Sequence, residues 1–367
     1  MKRVGILTGG GDCPGLNAVL RACGKTLINR GWEVVGFEDG FLGVLERRHR
    51  PLDTAALSGI LSLGGTILGT SNRDNPFKWY PAGTTTGIEP RDRSGEVRQL
   101  CADLGLAGLV VIGGDGTLSI ARRLTEEAGV PCVGVPKTID NDLSATDVTF
   151  GFDTALQVAT EAIDRLHSTA MSHHRAMVVE LMGRYAGWLG LFAGVAGGAD
   201  VVLIPEIPYS EAAVEETIRR RSRHGSRFSI VVASEGAKTL DGEMVVDRMV
   251  EGSHDPIRLG GIGARLAKRI ETATGVEARA TVLGHLQRGG SPTNRDRLLA
   301  TQFGHVAAEL VDGAQWGLMA AVQGGAFRGV PLAEAVGTLK LVRPDDPLVK
   351  AAREIGVSFG DTVPAAG

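Results

Sequence analysis

Apolar positions along this chain follow two periods, and the switches between them mark out its elements. The runs "VGIL" (Val4 to Leu7), "EVVGF", "AGLVVI" (Ala107 to Ile112) and "VPCVGV" are short, β-branched and almost continuously apolar, as strands buried on both faces must be. Between them the pattern turns helical. One helix is expected from about Asn17 to Asn29, a second ends near Ala128, and a third runs from Asp153 to His167. In the third, Leu156, Ala159, Ile163 and Leu166 recur on one face. Strand, glycine turn, helix, strand is a unit whose strands lie parallel with a right-handed crossover. The alternation continues through "AMVVELM", "DVVLIP", "FSIVVASE" and "ARATVLG". Helices intervene: one that Ser210 caps, one across "IGARLAKRIETA", and one from Asn294 after the turn "HLQRGGSP". The pattern predicts an α/β protein with largely parallel sheets covered on both faces. At 367 residues the chain is too long for one core, so two such units in tandem fit it. The tail "SFGDTVPAAG" reads as frayed.

Composition narrows the function classes. A formal net charge of −3 supplies no basic footprint for nucleic acid or for an anionic membrane. The longest apolar reach, "LGLFAGVAGGADVVLIP", is interrupted by Asp200 and is too rich in glycine to span a bilayer. The opening "MKRVGILTGGGD" is wrong for a signal peptide. Cys13, Cys23, Cys101 and Cys132 are widely spaced and form no C-x-x-C pair, which argues against a disulfide framework or zinc site and for a reducing cytoplasm. His173 and His174 have no partner at metal-ligand spacing. "RRRSRHGSR" (Arg219 to Arg227) reads as a solvated helix face and a turn.

The polar residues that carry chemistry fall just after strands: Asp12, Asp115, Asp140, Arg184, Glu235, His285 and Arg288. In open α/β sheets the crevice beyond the carboxyl ends of the strands is where ligands sit. "TGGGDCPGLN" and "IGGDGTLSIAR" each put glycines between a strand and a helix, so backbone amides and a helix N-terminus can meet an anion there. Neither is a Walker A loop, and for either alone a tight βα turn is an equally good account. Asp115 within such a loop would repel phosphate unless it held a cation, and Mg²⁺ is the natural bridge. In "VPKTIDNDL" (Val135 to Leu143), Lys137, Asp140, Asn141 and Asp142 crowd into one polar loop after a core strand. Asp140 or Asp142 could take a proton from an attacking hydroxyl while Lys137 holds a phosphate. The competing account is a self-capped Asx turn. Arg184 in "MGRYAG", and His285 and Arg288 in "GHLQRGGSP", are cations suited to a second anion.

In this order, "GGGDCPGLN", "GGDGT", "PKTIDND", "MGRYAG" and "GHLQRGGSP" resemble the 6-phosphofructokinase family from about Val4 to about Gly325. The resemblance implies two Rossmann-like three-layer α/β domains with the active site in the cleft between them. One domain would comprise 1–150 plus about 287–336 and hold nucleotide and Mg²⁺. The other, about 151–286 plus 337–367, would hold the sugar phosphate. The implied reaction moves the γ-phosphate of ATP to the 1-hydroxyl of fructose 6-phosphate. Asp140 would be the base, with Asp142 beside it, Thr138 near the transferred group, and Arg73 steadying that group from a loop one residue longer than usual. Asp115 would hold Mg²⁺. Gly11, Asp74, Gly114, Gly116, Thr117 and Lys137 would line the donor site. Ile139, Met182, Gly183, Arg184 and Glu235 would meet the sugar, and His285 and Arg288 its 6-phosphate. Arg175 and Arg279 match arginines lent to a neighbouring subunit, so a homotetramer is expected.

The donor signals conflict. Pyrophosphate users typically have aspartate where this chain has Gly116, whereas Lys137 is the residue they carry in place of glycine. A carboxylate at 116 would block ATP by size and charge, and an extra cation is easier to tolerate, so ATP is expected and pyrophosphate is the alternative. Of the family's effector-site cations Arg21 survives, while Thr54, His167, Ser226 and Phe228 replace others; control by ADP or phosphoenolpyruvate is therefore expected to be weak. A lipid or NAD kinase shares "GGDGT" but has no reason to carry "PKTIDND". A non-enzymatic paralogue would have lost Asp140 or Asp115, and both are present.

Overall fold

The computed structural model describes residues 2–81, 89–249 and 257–363. Its larger sheet comprises β1 (Lys2–Thr8), β2 (Trp32–Phe37), β3 (His49–Pro51), β4 (Leu109–Gly113), β5 (Cys132–Thr138), β6 (Phe150–Gly151), and two late strands, β13 (Leu318–Gln323) and β14 (Ala326–Pro331). The order is β14-β13-β5-β4-β1-β2-β3, with β6 beside β5. Pairing is parallel except at the two edges, where β3 runs antiparallel to β2 and β14 to β13. The second sheet is parallel throughout, in the order β12-β7-β9-β8, from β7 (Ala176–Leu181), β8 (Val201–Leu203), β9 (Ser229–Ser234) and β12 (Ala278–Val282). A short antiparallel pair, β10 (Val246–Met249) and β11 (Ile257–Leu259), stands apart.

Burial explains why the central strands are almost continuously apolar. Along β4, Val110 and Ile112 join one core with Leu16, Leu20 and Phe303, whereas Leu109 and Val111 join another with Leu118 and Leu124. The second sheet is covered in the same way: Val179 and Val232 face one core, Val178 and Val231 the other. A strand buried on both faces cannot alternate in polarity. The helix Leu16–Asn29 lies against the helix Asn294–Asp312 over the first core.

Several boundaries differ from expectation for identifiable reasons. The third helix runs Phe152–His173 and stops at His174, which is in the left-handed region. Ser210 stands at the N-cap of Glu211–Arg223, but its side chain makes no capping bond. The start of "HLQRGGSP" lies in a 3₁₀ helix, Gly284–Arg288. β5 continues through Lys137 and Thr138, so only the second half of "VPKTIDNDL" is loop. The tail is held further along than expected. Ser358 bridges to Val201, Phe359 is buried, and Arg353 donates to Asp361 at 2.9 Å and 2.6 Å; residues 364–367 of the expected frayed tail lie outside the described residues. The arginines Arg219, Arg221 and Arg223 are paired with Glu215, Glu216 and Asp200, with Arg221–Asp200 at 2.8 Å, so this face is less solvated than its composition implies.

Candidate active site

In the larger sheet the chain passes from β1 outward to β2, then returns to the other side of β1 as β4. The crevice at the carboxyl ends of β1 and β4 is therefore the switch point at which open α/β sheets bind ligands. A cleft opens there, and it gathers residues from six separate stretches: Gly10 and Gly11, Phe41, 71–75, 114–117 with Ile120, the β5 end and loop with Lys137, Thr138, Asp140 and Asp142, and Arg288. Gly11, Arg73, Asp74, Gly114, Asp115, Gly116, Thr117, Lys137, Thr138, Asp140, Asp142 and Arg288 all line it.

The turn after β1 needs its glycines. Gly10 has φ +79°, and a Cβ on Gly11 would lie 2.9 Å from Nη1 of Arg288, so the guanidinium could not stay there. Arg288 donates to the carbonyl of Asp12 at 3.1 Å. After β4, Gly114 is the N-cap of the helix Asp115–Glu126, which places Asp115, Gly116 and Thr117 in its first turn with their backbone toward the cleft. Such a helix start favours negative charge. One Asp115 oxygen, Oδ1, accepts from the Gly337 amide at 2.9 Å. Arg73 is exposed at the cleft mouth, and Asp74 is held by Ser71.

Lys137 is buried at the end of β5, and its Nζ donates to the carbonyl of Gly11. Burial lowers its pKa, and Arg288 acts in the same direction. The acids move the other way. Burial raises Asp140, although Arg288 and Lys137 oppose the rise. Asp142 is pushed up to about 7 by burial and then by Asp140, and Glu235 to about 7 by burial, Asp140 and Glu180. Asp142 and Glu235, each in the field of Asp140, are thus poised to exchange protons near neutrality. The Asp140 amide donates to the Thr138 hydroxyl at 3.0 Å, yet the carboxyl Oδ1 of Asp140 is buried with no hydrogen-bond partner.

Other expected residues lie off this cleft. Ile139 is fully buried, its side chain in the core. Met182 and Gly183 follow β7; the Met182 amide donates to Gln287 at 2.9 Å, and the Gly183 carbonyl accepts from Gly236 at 3.2 Å. Arg184 lies over the ring of Tyr185. Glu235 follows β9 and shares the electrostatic field of Asp140, Arg288 and Arg184. His285 is exposed on the 3₁₀ helix. Arg175 and Arg279 lie at the opposite end of the second sheet, where both pair with Glu277, Arg175 at 2.8 Å. The cleft also includes residues that the sequence did not single out: Phe41, Ser71, Asn72, Asn75 and Ile120. The stretch around Arg73 pointed toward three of these; nothing marked Phe41 or Ile120, which look like core positions.

Among the described residues no group of three or more His, Cys, Asp or Glu could hold a metal ion. Mg²⁺ does not need one, since it binds through one or two carboxylates with phosphate oxygens and water completing its shell. Asp115, with one oxygen already engaged, suits that arrangement. No helix among the described residues is long and apolar enough to cross a membrane.

A family model described as Phosphofructokinase matches residues 3–311. The chain is 49% identical over 363 residues to ATP-dependent 6-phosphofructokinase 2 of Clostridium perfringens, covering 98% of this chain and 99% of that protein. It is 51% identical over 359 residues to pyrophosphate–fructose 6-phosphate 1-phosphotransferase of Streptomyces coelicolor, covering 98% of this chain and 100% of that one. A solved phosphofructokinase of Saccharomyces cerevisiae superposes with a TM-score of 0.75 at 28% identity over 98% of this chain, which spans 47% of that longer chain. The paired parallel sheets, the cleft at their switch point and identity at about half of all positions agree: the chain belongs to the phosphofructokinase family of phosphotransferases.

Proposed function

We propose that the protein is an ATP-dependent 6-phosphofructokinase, with Asp140 as the base that takes the proton from the 1-hydroxyl of fructose 6-phosphate. The observation that carries this reading is the buried, unpartnered Oδ1 of Asp140 in a cleft that Lys137, Arg288 and the glycine turns also line. A buried acceptor left unpaired costs stability, and a substrate hydroxyl supplies the missing donor. The charge of Asp140 raises the proton affinity of Asp142, and Thr138 fixes the turn by accepting from the Asp140 amide. Gly11, Gly114, Gly116 and Thr117 receive the donor phosphates on backbone amides, with Asp74 at the rim and Lys137 behind them. Arg73 reaches in from the mouth. Bound at Asp115, Mg²⁺ neutralises charge on the donor phosphates. The second-sheet loops, with Met182, Gly183, Arg184 and Glu235, hold the sugar on the backbone side of Ile139, and Arg288 and His285 meet the 6-phosphate. The larger sheet is thus the donor half and the smaller sheet the sugar-phosphate half.

Arg175 lies before β7, and the six residues of β7 span about 20 Å at ~3.3 Å each, so from there neither Arg175 nor Arg279 serves the cleft of its own chain. Both belong to a neighbour's sugar-phosphate site in a homotetramer. Weak effector control goes with this reading: His167 bonds the Gly197 carbonyl at 2.7 Å and stacks edge-on against Phe228, leaving little charge for a phosphorylated effector.

A second reading, pyrophosphate as donor, is favoured by one observation. Lys137 is wholly inside the cleft, with its ammonium against the first glycine turn, where it would suit a compact inorganic phosphate. The deciding experiment supplies Mg²⁺ and fructose 6-phosphate with ATP or pyrophosphate as sole donor and measures fructose 1,6-bisphosphate. Turnover with ATP alone supports the first reading, turnover with pyrophosphate alone the second, and silence with both removes the sugar assignment.

A further inference from the structure

A segment beyond the family-matched residues crosses the back of the cleft and touches both acid-bearing loops. Its Gly337 amide donates to Asp115 Oδ1 at 2.9 Å. The Thr338 carbonyl accepts from the Ser144 hydroxyl at 2.6 Å, and Leu339 bridges to Leu143. The Lys340 amide donates to the Asp142 carbonyl at 2.8 Å. The same segment is tied to the second sheet's loops: Trp188 Nε1 donates to the Lys340 carbonyl at 2.7 Å, and the Val342 amide to Glu206 at 2.9 Å, a carboxylate that also receives the Gly187 amide.

The side chain of Lys340 makes this strap specific. Its Nζ donates to Asn141 Oδ1 at 3.2 Å, to the Thr146 carbonyl at 3.1 Å and to the Asp147 carbonyl at 2.9 Å. All three of its protons are therefore spent on the loop that carries Asp140 and Asp142. That loop needs holding, because Asn141 has φ +53° and Ala145 φ +58°, positions that non-glycine residues adopt only when their surroundings over-determine them. Asn141 Oδ1 also receives the Thr149 amide at 3.1 Å, so Lys340 closes a ring that spans the loop from Asn141 to Thr149.

We propose that Lys340 is a positioning residue for phosphoryl transfer: from outside the loop it fixes the Asp140–Asp142 turn, and through its own backbone it ties that turn to the second sheet. This rests on the reading of Asp140 as the base. Nothing requires the Lys340 side chain to touch substrate. A misplacement of about 1 Å at a reacting group can cost on the order of 100-fold in rate, so the expected effect is on kcat. Lys340→Met keeps the length and apolar stem and deletes the three donors. It should lower kcat about 10- to 100-fold while leaving KM for fructose 6-phosphate within about threefold. Lys340→Arg, which keeps a charged donor, should recover part of the loss. Hydrogen exchange at 139–149 should quicken in the Met variant, and this readout requires no substrate. Wild-type silence with both donors, together with faster exchange in the variant, would reject the sugar assignment and keep the hold on the loop. If Lys340→Met turns over within twofold of wild type, or exchange at 139–149 is unchanged, the proposal is overturned. Should Met unfold the chain, Lys340→Gln, whose polar head is too short for the full set of acceptors, is judged by the same criteria.

Discussion

At the scale of single residues, the cleft is a place where charge has been forced out of water. On the proposed reading Asp140 is a base that awaits a donor, and Asp140→Asn should lower kcat by at least ~100-fold with a melting temperature no lower than that of the wild type; steady-state rates and a thermal scan test both halves. Asp142 gives a stability prediction with a definite sign. Its folded-state pKa of about 7 exceeds the ordinary 3.8, so between those values the folded chain holds a proton that the unfolded chain has released. Its contribution to stability therefore falls as pH rises through that window and stays low above about 7. Asp142→Asn should melt higher than wild type at pH 8, with a gap that closes toward pH 4; a gap independent of pH would refute the account. Activity should follow the opposite trend and fall as pH drops through about 7, where Asp142 and Glu235 take up protons. The residue types and their spacing in "PKTIDND" were enough to locate these acids. Their burial was not legible, because the groups that desolvate them come from strands more than a hundred residues apart.

Elements set which donor can enter and how firmly the sheets are joined. Gly116 lies in the first turn of the helix Asp115–Glu126, facing the cleft. A carboxylate there would add like charge where phosphate amides are needed, so Gly116→Asp should reduce kcat/KM for ATP at least ~10-fold, about 1.4 kcal/mol, while affecting pyrophosphate less. An equal ATP rate would show that the position does not select the donor. A second test concerns Asp296, which is fully buried at the start of Asn294–Asp312. It accepts from the Gly151 and Thr154 amides and the Thr154 hydroxyl at 3.0, 2.8 and 2.6 Å. It thereby caps the helix Phe152–His173 from another helix. Asp296→Ala would orphan three donors and should cost about 2–4 kcal/mol, measurable by urea denaturation. Sequence periodicity anticipated most of the central strands and helices, because a strand buried on both faces leaves a continuous apolar run. It anticipated neither the three-residue edge strand β3 nor β13 and β14, and it did not mark β10 or β11. It also set the end of β5 too early, since polar Lys137 looks like loop until the cleft that buries it is seen.

For the whole molecule, the proposed role of Arg175 and Arg279 in a neighbouring subunit's site would make activity a property of the assembly. Asp140→Ala and Arg175→Ala chains should each be nearly inactive, and mixing them under conditions of subunit exchange should restore part of the activity, because some sites would then combine an intact base with an intact neighbouring arginine. No recovery in verified mixed oligomers would return Arg175 to its ion pair with Glu277. At this scale the division between sequence and structure is clear. The sequence by itself determined the fold class, the family and the main loops that meet at the cleft, because strand burial, glycine turns and acid–base motifs are local and each leaves its mark within about ten residues. Only the tertiary structure decided that β13 and β14 complete the first sheet, that Lys137 is a buried cleft residue, and that residues 337–342 strap the acid loops to the second sheet. These depend on hydrogen bonds between segments about 200 residues apart, such as Lys340 to Asn141 and Gly337 to Asp115, and no local pattern encodes a partner that distant.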